Sequence, residues 1–183
     1  SNLYQIEEQT KLSEWLTENS CAEAAFFCNS GAEANEAAIK LIRKYGSKIS
    51  NKKESIIIAA ESSFHGRTFA ALSATGQPKY HQGFEPLLSG FKFFKYNNFE
   101  SVKNLFKECE KSNQHIAGIL IEPIQGEGGV IPGDKKFFQQ LRELCDQKNS
   151  LLIFDEVQSG VGRTGKMWGY ENLDIEPDGF TLA

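Results

Sequence analysis

Six short apolar runs, most of them separated by segments of helical periodicity, are the feature that most constrains the fold of this chain. The runs predict strands at residues 24–28, 56–60, 91–95, 115–121, 151–154 and 179–182. Apolar side chains that recur every three or four residues predict helices at 4–19, 31–45, 99–111 and 135–148. Strands separated by helices favour a parallel sheet, because the crossover helices cover both of its faces. The sequence therefore predicts an α/β fold of three layers, with helices flanking a mostly parallel sheet.

Size and charge exclude several classes of protein. The 183 residues fit one domain, or part of one, spanning 1–183. The net charge is −4 and the basic residues are scattered, so no nucleic-acid partner is expected. No apolar run approaches the roughly 20 residues that a spanning helix needs, so no membrane partner is expected. The opening residues lack an initiator methionine, and we expect the natural N-terminus to lie upstream.

The cysteines favour a reduced, cytoplasmic protein. Cys21, Cys28, Cys109 and Cys145 are widely spaced and form neither a CxxC pair nor a cluster with histidine. We therefore predict no metal site. No charged-then-apolar leader opens the chain, and we expect free thiols in the cytoplasm.

Polar residues follow the predicted strands directly, and ligands of parallel sheets bind beyond the carboxyl ends of the strands. The first such segment, Ser30-Gly31-Ala32-Glu33, begins the helix predicted at 31–45, with Ser30 and Glu33 as a capping box and Gly46 after the last turn. Because Gly31 and Ala32 carry little side chain, a phosphate could approach the unpaired amides of the first turn. A plain capped helix start is the alternative.

Asp155 ends the apolar run at 151–154. A buried carboxylate needs a cationic or hydrogen-bonding partner, because an unpaired buried charge is very costly. One interpretation is a partner for a protonated pyridine nitrogen, which would keep that ring electron-withdrawing. The alternative is a structural aspartate paired with a loop donor.

The segment Phe64-His65-Gly66-Arg67-Thr68 follows the strand at 56–60. An aromatic ring beside a glycine can present a flat face to a planar cofactor, and Arg67 has a fork suited to a carboxylate. Each residue also has a simpler interpretation: Phe64 in the core, His65 as a loop donor and Arg67 as a solvated charge.

Two acids, Glu122 and Glu127, lie in the glycine-rich segment after the strand at 115–121. A structural role is favoured for Glu122. The role of Glu127 is left open, since an acidic side chain among glycines at the end of a strand contributes little to packing.

The motifs together resemble the class III aminotransferases, a family of pyridoxal 5′-phosphate (PLP) enzymes of fold type I. The segments that carry the resemblance are FFCNSGAEANEA at 26–37, FHGRT at 64–68, LSATGQPKY at 72–80, EPIQGEGG at 122–129 and DEVQSGVGRTG at 155–165. The resemblance covers essentially the whole chain. Residues 72–80 and GFEPL at 83–87 favour the branch that acts on acetylornithine.

This resemblance implies a role for each matching residue. The predicted cofactor-binding residues are Ser30, Gly31, Ala32, Phe64, His65, Asp155, Val157 and Gln158. Among them, the amides of Gly31 and Ala32 would bind the phosphate, and Phe64 and Val157 would cover the two ring faces. Asp155 would pair with the pyridine nitrogen, and Gln158 would reach the phenolic oxygen. For the substrate, Arg67 would hold a carboxylate and Glu127 would act as a gating acid.

The resemblance also implies a reaction and an assembly. The expected cofactor is PLP, and the expected substrates are a small-molecule amino donor, N-acetylornithine, and the 2-oxo acid 2-oxoglutarate, in arginine biosynthesis. A homodimer is expected. The lysine that forms the Schiff base is expected directly after Ala183, so the chain is expected to be a partial large domain that lacks the small-domain segments and is inactive alone.

Several alternatives remain at this point. Within the family, an ornithine, succinylornithine or 4-aminobutyrate aminotransferase shares the segment at 64–68. From a different class, an inactive fragment or a nucleotide-binding α/β domain has the same fold. Nucleotide binding has weak support, because neither a Walker loop nor a GxGxxG motif occurs in the sequence.

Overall fold

The structure, a computed structural model, describes residues 3–50 and 54–183. Residues 1–2 and 51–53 of the predicted domain 1–183 lie outside the described residues. The elements follow in the order α1 Glu7–Glu18, α2 Gly31–Ile49, β1 Glu54–Ala60, α3 Phe69–Ala74, β2 Phe91–Phe94, α4 Phe99–Lys111, β3 Gln114–Ile121, β4 Ile124–Gln125, β5 Ile131–Pro132, α5 Lys135–Lys148, β6 Leu151–Asp155 and β7 Gly179–Thr181. Two short 3₁₀ helices occur at Pro78–Tyr80 and Gly169–Asn172.

Five of the strands form one sheet in the order β2-β1-β3-β6-β7, and every neighbouring pair in it is parallel. At one end of the sheet, Ala60 lies opposite Phe94 and Asp155 lies opposite Thr181. The carboxyl ends of all five strands therefore meet at a single edge. The predicted α/β fold with a mostly parallel sheet is confirmed.

Alternate side chains of each strand enter two separate cores, which gives the three layers. On one face, Ile57 and Leu120 pack with helices α2 and α3. On the other face, Ile58 and Ile119 pack with helices α4 and α5. This follows from the period of two along a strand, which sends neighbouring side chains to opposite faces of the sheet.

The strand predicted at 24–28 is wrong. These residues run without regular secondary structure, and none of the described strands pairs with them. Phe26, at the centre of the apolar run, is 72% exposed. An apolar run becomes a strand only where a neighbouring strand accepts its backbone hydrogen bonds, and here no described strand does.

Helix α2 is longer than predicted, because Gly46 does not end it. The helix continues to Ile49, and Gly46 is buried within it. A Cβ at Gly46 would lie 2.5 Å from Oγ of Ser55 and 2.6 Å from Cβ of Ala117. The glycine is therefore needed for close packing of the helix on the sheet. Helix α1 is shorter than the predicted 4–19, since it spans only Glu7–Glu18.

Two elements lie in segments that the sequence pattern left without structure. The short helix α3 falls within 61–76, and five of its six residues are buried. The strands β4 and β5 form a two-stranded antiparallel hairpin in the glycine-rich segment that follows β3. Elements this short are set by tertiary contacts and not by a periodic pattern. In the described part of the chain, no helix has the length and apolarity to cross a membrane.

Candidate active site

A pocket of about 380 Å³ opens at the carboxyl edge of the sheet. Eight of the predicted site residues line it: Gly31, Ala32, Phe64, His65, Arg67, Asp155, Val157 and Gln158. The other lining residues are Asn35, Gly66, Glu122 and Ile124. A volume of this size is typical of small-molecule sites. The fold thus brings together residues from all four polar segments that the sequence pattern predicted at strand ends.

Helix α2 begins at the pocket and leaves donors there. Ser30 is the N-cap, and its Oγ accepts a hydrogen bond from the amide of Glu33 at 3.3 Å. In the predicted capping box, the Glu33 carboxylate would accept from the amide of Ser30. It accepts from the amide of Asn29 instead, at 2.6 Å. The amides of Gly31 and Ala32 precede the first bond within the helix and point towards its N-terminal end. They can therefore bind an anionic group, which the helix dipole also favours.

Gly31 is tightly enclosed. A Cβ built on it would lie 2.7 and 2.8 Å from the two Cγ atoms of Val157, and 3.3 Å from Cβ of Ala183. No larger residue fits this position unless Val157 moves. The contact also places Ala183, just after β7, beside the start of helix α2.

Asp155 is the centre of a buried hydrogen-bond cluster and is only 4% exposed. Its Oδ2 accepts from Nδ2 of Asn35 and from Nδ1 of His65, both at 2.7 Å. Its Oδ1 accepts from the amide of Val157 at 3.1 Å. The hydroxyl of Thr181 donates to Oδ1 of Asn35 at 2.9 Å and is farther, 3.4 Å, from Oδ1 of Asp155. The single hydroxyl proton of Thr181 goes to the shorter of these two contacts, which leaves Oδ1 of Asp155 with an acceptor position beside the bond from Val157.

The charge of Asp155 acts on its neighbour His65, which is fully buried. Burial alone would lower the pKa of the imidazole, but the hydrogen bond and the charge of Asp155, together with the charge of Glu122, raise it above its usual value. Nε2 of His65 has no hydrogen-bond partner among the described residues. The imidazole therefore fixes and electrostatically supports the carboxylate.

An aromatic contact forms one wall of the pocket. The ring of Phe64 meets the edge of Tyr80 at 5.4 Å between ring centroids, with a 67° angle between the ring planes. The guanidinium of Arg67 also lies over Tyr80, 5.9 Å from its centroid. Tyr80 thus supports both the flat ring and the cation that the sequence analysis assigned to the site.

Glu36 on helix α2 supports the same wall from the outside. Its Oε1 accepts from the hydroxyl of Thr68 at 2.6 Å and from the amides of Ala70 and Ala71 at 2.8 and 3.2 Å. This carboxylate caps helix α3 in place of a local N-cap side chain. It therefore fixes the chain on which Arg67 lies.

Two predicted residues do not line the pocket. Ser30 is exposed and its hydroxyl is engaged as the helix cap. Glu127 is exposed in the loop between β4 and β5. Ser30 directly precedes the lining residue Gly31, and Glu127 lies three residues after the lining residue Ile124, but neither is on the pocket surface.

Two buried polar residues of the site, Asn35 and Thr181, were not predicted from the sequence, and Glu122 was predicted there only in a structural role. Asn35 and Thr181 bond to Asp155 or to each other, and Glu122 lines the pocket at 4% exposure. Asn35 had a signal, since it lies four residues after Gly31 and hence on the same helix face. Thr181 had none, because its partners are distant in sequence.

The described residues contain no group of three or more histidine, cysteine, aspartate or glutamate side chains that could hold a metal ion. All four cysteines are free thiols, and Cys109 and Cys145 are buried. The polar groups that line the pocket include the amides at the start of α2, the buried carboxyl groups of Asp155 and Glu122, and the guanidinium of Arg67.

The chain belongs to the class III aminotransferases, because a sequence model of that family, Aminotransferase class-III, matches residues 1–183. It is 74% identical over 183 residues to an acetylornithine aminotransferase of Prochlorococcus marinus subsp. pastoris, with 100% of this chain and 44% of the relative covered. It is 56% identical over 184 residues to an acetylornithine aminotransferase of Synechocystis sp., with 100% and 43% covered. The chain thus spans less than half the length of these relatives.

Solved structures show the same fold. The ornithine aminotransferase from Toxoplasma gondii ME49 has a TM-score of 0.89 at 28% identity, over 98% of this chain and 42% of that one. The N-acetylornithine aminotransferase from Stenotrophomonas maltophilia K279a has a TM-score of 0.77 at 36% identity, over 99% and 43%. The sheet flanked by helices is therefore that of the fold type I aminotransferases.

Proposed function

We propose that residues 1–183 are part of the large, PLP-binding domain of an aminotransferase that moves the amino group between N-acetylornithine and 2-oxoglutarate in arginine biosynthesis. The observation that carries the proposal is Asp155, a buried carboxylate that lines the pocket at the carboxyl edge of the sheet. The proposed assembly is a cytoplasmic homodimer, as expected from the resemblance.

The residues present fit PLP. The amides of Gly31 and Ala32 suit a phosphate. Because Gly31 has no Cβ, Val157 can pack directly against the start of the helix. Asp155 would pair with a protonated ring nitrogen, and the apolar side chains of Phe64 and Val157 in the pocket lining would cover the two ring faces. When bound, PLP supplies a pyridine ring that withdraws electrons from the substrate carbon.

The remaining roles belong to side chains around the pocket. Asn35 and His65 hold the Asp155 carboxylate through hydrogen bonds of 2.7 Å, which fix its orientation. Gln158 is proposed to reach the phenolic oxygen. Arg67 is proposed to bind the substrate carboxylate, and Glu127 to contribute to the substrate entrance.

The position of Ala183 supports the expectation for the lysine. Ala183 follows β7 and its Cβ is near the place a Gly31 Cβ would take. We propose that the residue after Ala183 is the lysine that carries the cofactor and moves the proton of the substrate carbon.

The choice of acetylornithine rests on sequence identity and not on the fold. The ornithine enzyme superposes with the higher TM-score, whereas the relatives at 55–74% identity are named acetylornithine aminotransferases. Assays of the PLP-loaded full protein with N-acetylornithine, ornithine and 4-aminobutyrate test this choice. We expect the highest kcat/KM with N-acetylornithine; a higher value with either other donor would replace the proposed substrate.

Replacing Arg67 with glutamine is expected to lower kcat/KM by about 10- to 150-fold, mainly through KM, because a charge-assisted hydrogen bond contributes about 1.5–3 kcal/mol. Steady-state kinetics with N-acetylornithine would measure it. Lys79→Gln is the matched control, since Lys79 lies over the same Tyr80 ring, 4.7 Å from its centroid, but does not line the pocket. Equal effects of the two substitutions on kcat/KM would contradict the proposed role of Arg67 in substrate binding.

Gly31→Val is expected to weaken PLP binding by about 5- to 150-fold, since overpacking costs about 1–3 kcal/mol and the new side chain would displace Val157. Titration of the cofactor-free protein with PLP would measure the change in Kd. Leu41→Val introduces the same branched side chain at a 55%-exposed position of the same helix. An unchanged Kd in Gly31→Val would contradict the phosphate site.

A further inference from the structure

Glu122 joins two loops that line the candidate active site. It follows strand β3 directly and is 4% exposed. Its Oε2 accepts from the amide of Phe64 at 3.2 Å, and its Oε1 accepts from the amide of Gly126 at 3.3 Å. The two oxygens of one side chain therefore bond to backbone segments that are 62 residues apart, as the numbers of Phe64 and Gly126 show.

Each of these segments carries a wall of the pocket. The first presents the Phe64 ring to the pocket. The second brings Gly126 so close to Gln158 that a Cβ on Gly126 would lie 2.3 Å from Oε1 of Gln158. A shift of either backbone segment would therefore move a side chain that faces the ligand.

A second side-chain link joins the same two parts of the chain. Nε2 of Gln125 donates to the backbone oxygen of Glu61 at 2.9 Å. That link is neutral and does not change with pH. Of these two links, only Glu122 can gain or lose a charge.

We propose that Glu122 is a positioning residue, which holds the Phe64 segment and the Gly126 segment together and so closes the two walls of the pocket. The consequence for catalysis rests on the proposed function, since it assumes that Phe64 and Gln158 contact the cofactor. The link between the two segments itself does not.

The surroundings of Glu122 make this link sensitive to pH. Burial raises the pKa of the Glu122 carboxyl to about 7; the charge of Asp155 adds to the rise, while His65 and the two amide donors oppose it. The other titratable group that faces it is Tyr96, whose Oη donates to the backbone oxygen of Glu122 at 2.9 Å. The cation that lines the same pocket is Arg67.

The sign of the effect follows from linkage. A carboxyl exposed by opening of the loops ionises near its ordinary pKa of about 4.3. Because the closed pocket holds the proton more tightly, its contribution to closure is complete below about pH 4.3 and is lost as the pH rises through about 7. A protonated carboxyl still has acceptor capacity, so the bonds to Phe64 and Gly126 persist in that form.

Amide hydrogen exchange of the full protein, as purified, tests the proposal without substrate or catalysis. Exchange rates of peptides covering 62–67 and 124–129 are divided by the intrinsic rates at each pH. We expect corrected opening of both segments to rise about tenfold or more between about pH 5 and pH 8. In Glu122→Gln, which cannot ionise, we expect that rise to disappear from both segments.

Glu61→Gln is the matched control, since it makes the same substitution at an exposed acid of the neighbouring segment. It should retain the wild-type pH profile. A flat wild-type profile, a response in only one of the two segments, or an unchanged profile in Glu122→Gln would each overturn the proposal. If Glu122→Gln does not fold, the wild-type profile alone decides. Failure to bind PLP would count against the proposed function and leave this result intact.

Discussion

Asp155→Asn is expected to lower kcat/KM by about 10²- to 10⁴-fold, the range that a positioned ionisable group contributes to catalysis. The asparagine keeps the size of the side chain but removes the charge that would keep the pyridine nitrogen protonated. It also replaces one acceptor oxygen by an NH₂ group, which is a donor. That group would face the donors of Asn35 and His65 in one orientation of the amide and the amide of Val157 in the other. Steady-state kinetics of the PLP-loaded protein would measure the loss.

Asp155→Ala separates the chemical effect from the structural one. It leaves the donors of Asn35 and His65 without their shared acceptor, at about 1–3 kcal/mol for each unpaired buried group. We therefore expect a loss of stability with alanine that exceeds the loss with asparagine. Asp174→Asn is the control, because Asp174 is an exposed aspartate paired with Lys135. Activity of Asp155→Asn within tenfold of wild type would refute the role given to Asp155.

Phe138→Ala is expected to lower the free energy of unfolding by about 3–5 kcal/mol, the usual cost of emptying a buried phenylalanine site. Phe138 is fully buried and packs edge-on against Phe137 and Phe154, at 5.4 and 5.3 Å between centroids. Since whole domains are stable by only about 5–15 kcal/mol, the loss is a large share of the total. Urea denaturation of the full protein would measure it.

The effect of Phe138→Ala should extend to the site, because Phe154 immediately precedes Asp155 in β6. Phe84→Ala is the matched control, since Phe84 is 56% exposed and a surface substitution usually changes stability by less than about 0.5 kcal/mol. A change below about 1 kcal/mol for Phe138→Ala would show that the aromatic cluster is not essential to the core.

Sequence patterns predicted the long elements well, because their periodicity records which face is buried. Helices α4 and α5 have the predicted bounds, and strands β1, β3 and β6 lie within three residues of theirs. The strand prediction for 24–28 was wrong because apolar content does not reveal whether a partner strand is present. Gly46 was misread because a glycine that ends a helix and one that allows close packing look alike in sequence.

The candidate site was predictable in part for a related reason. Polar residues after strands must meet at one edge of a parallel sheet, so the grouping of Phe64 and Asp155 followed from the predicted topology. Gly31 joins them although the strand predicted before it is absent. The supporting contacts did not. Glu122 reaches an amide 58 residues away, and Thr181 reaches Asn35 across 146 residues. Such pairs depend on the three-dimensional register, which a single sequence does not contain.

The bond between Thr181 and Asn35 has a consequence for the order of events during synthesis. The buried cluster around Asp155 draws on α2 near the start of the chain and on β7 near residue 181. The hydrogen bond from Thr181 to Asn35 can therefore form only after β7 has left the ribosome, so this part of the buried cluster is the last to be completed during synthesis.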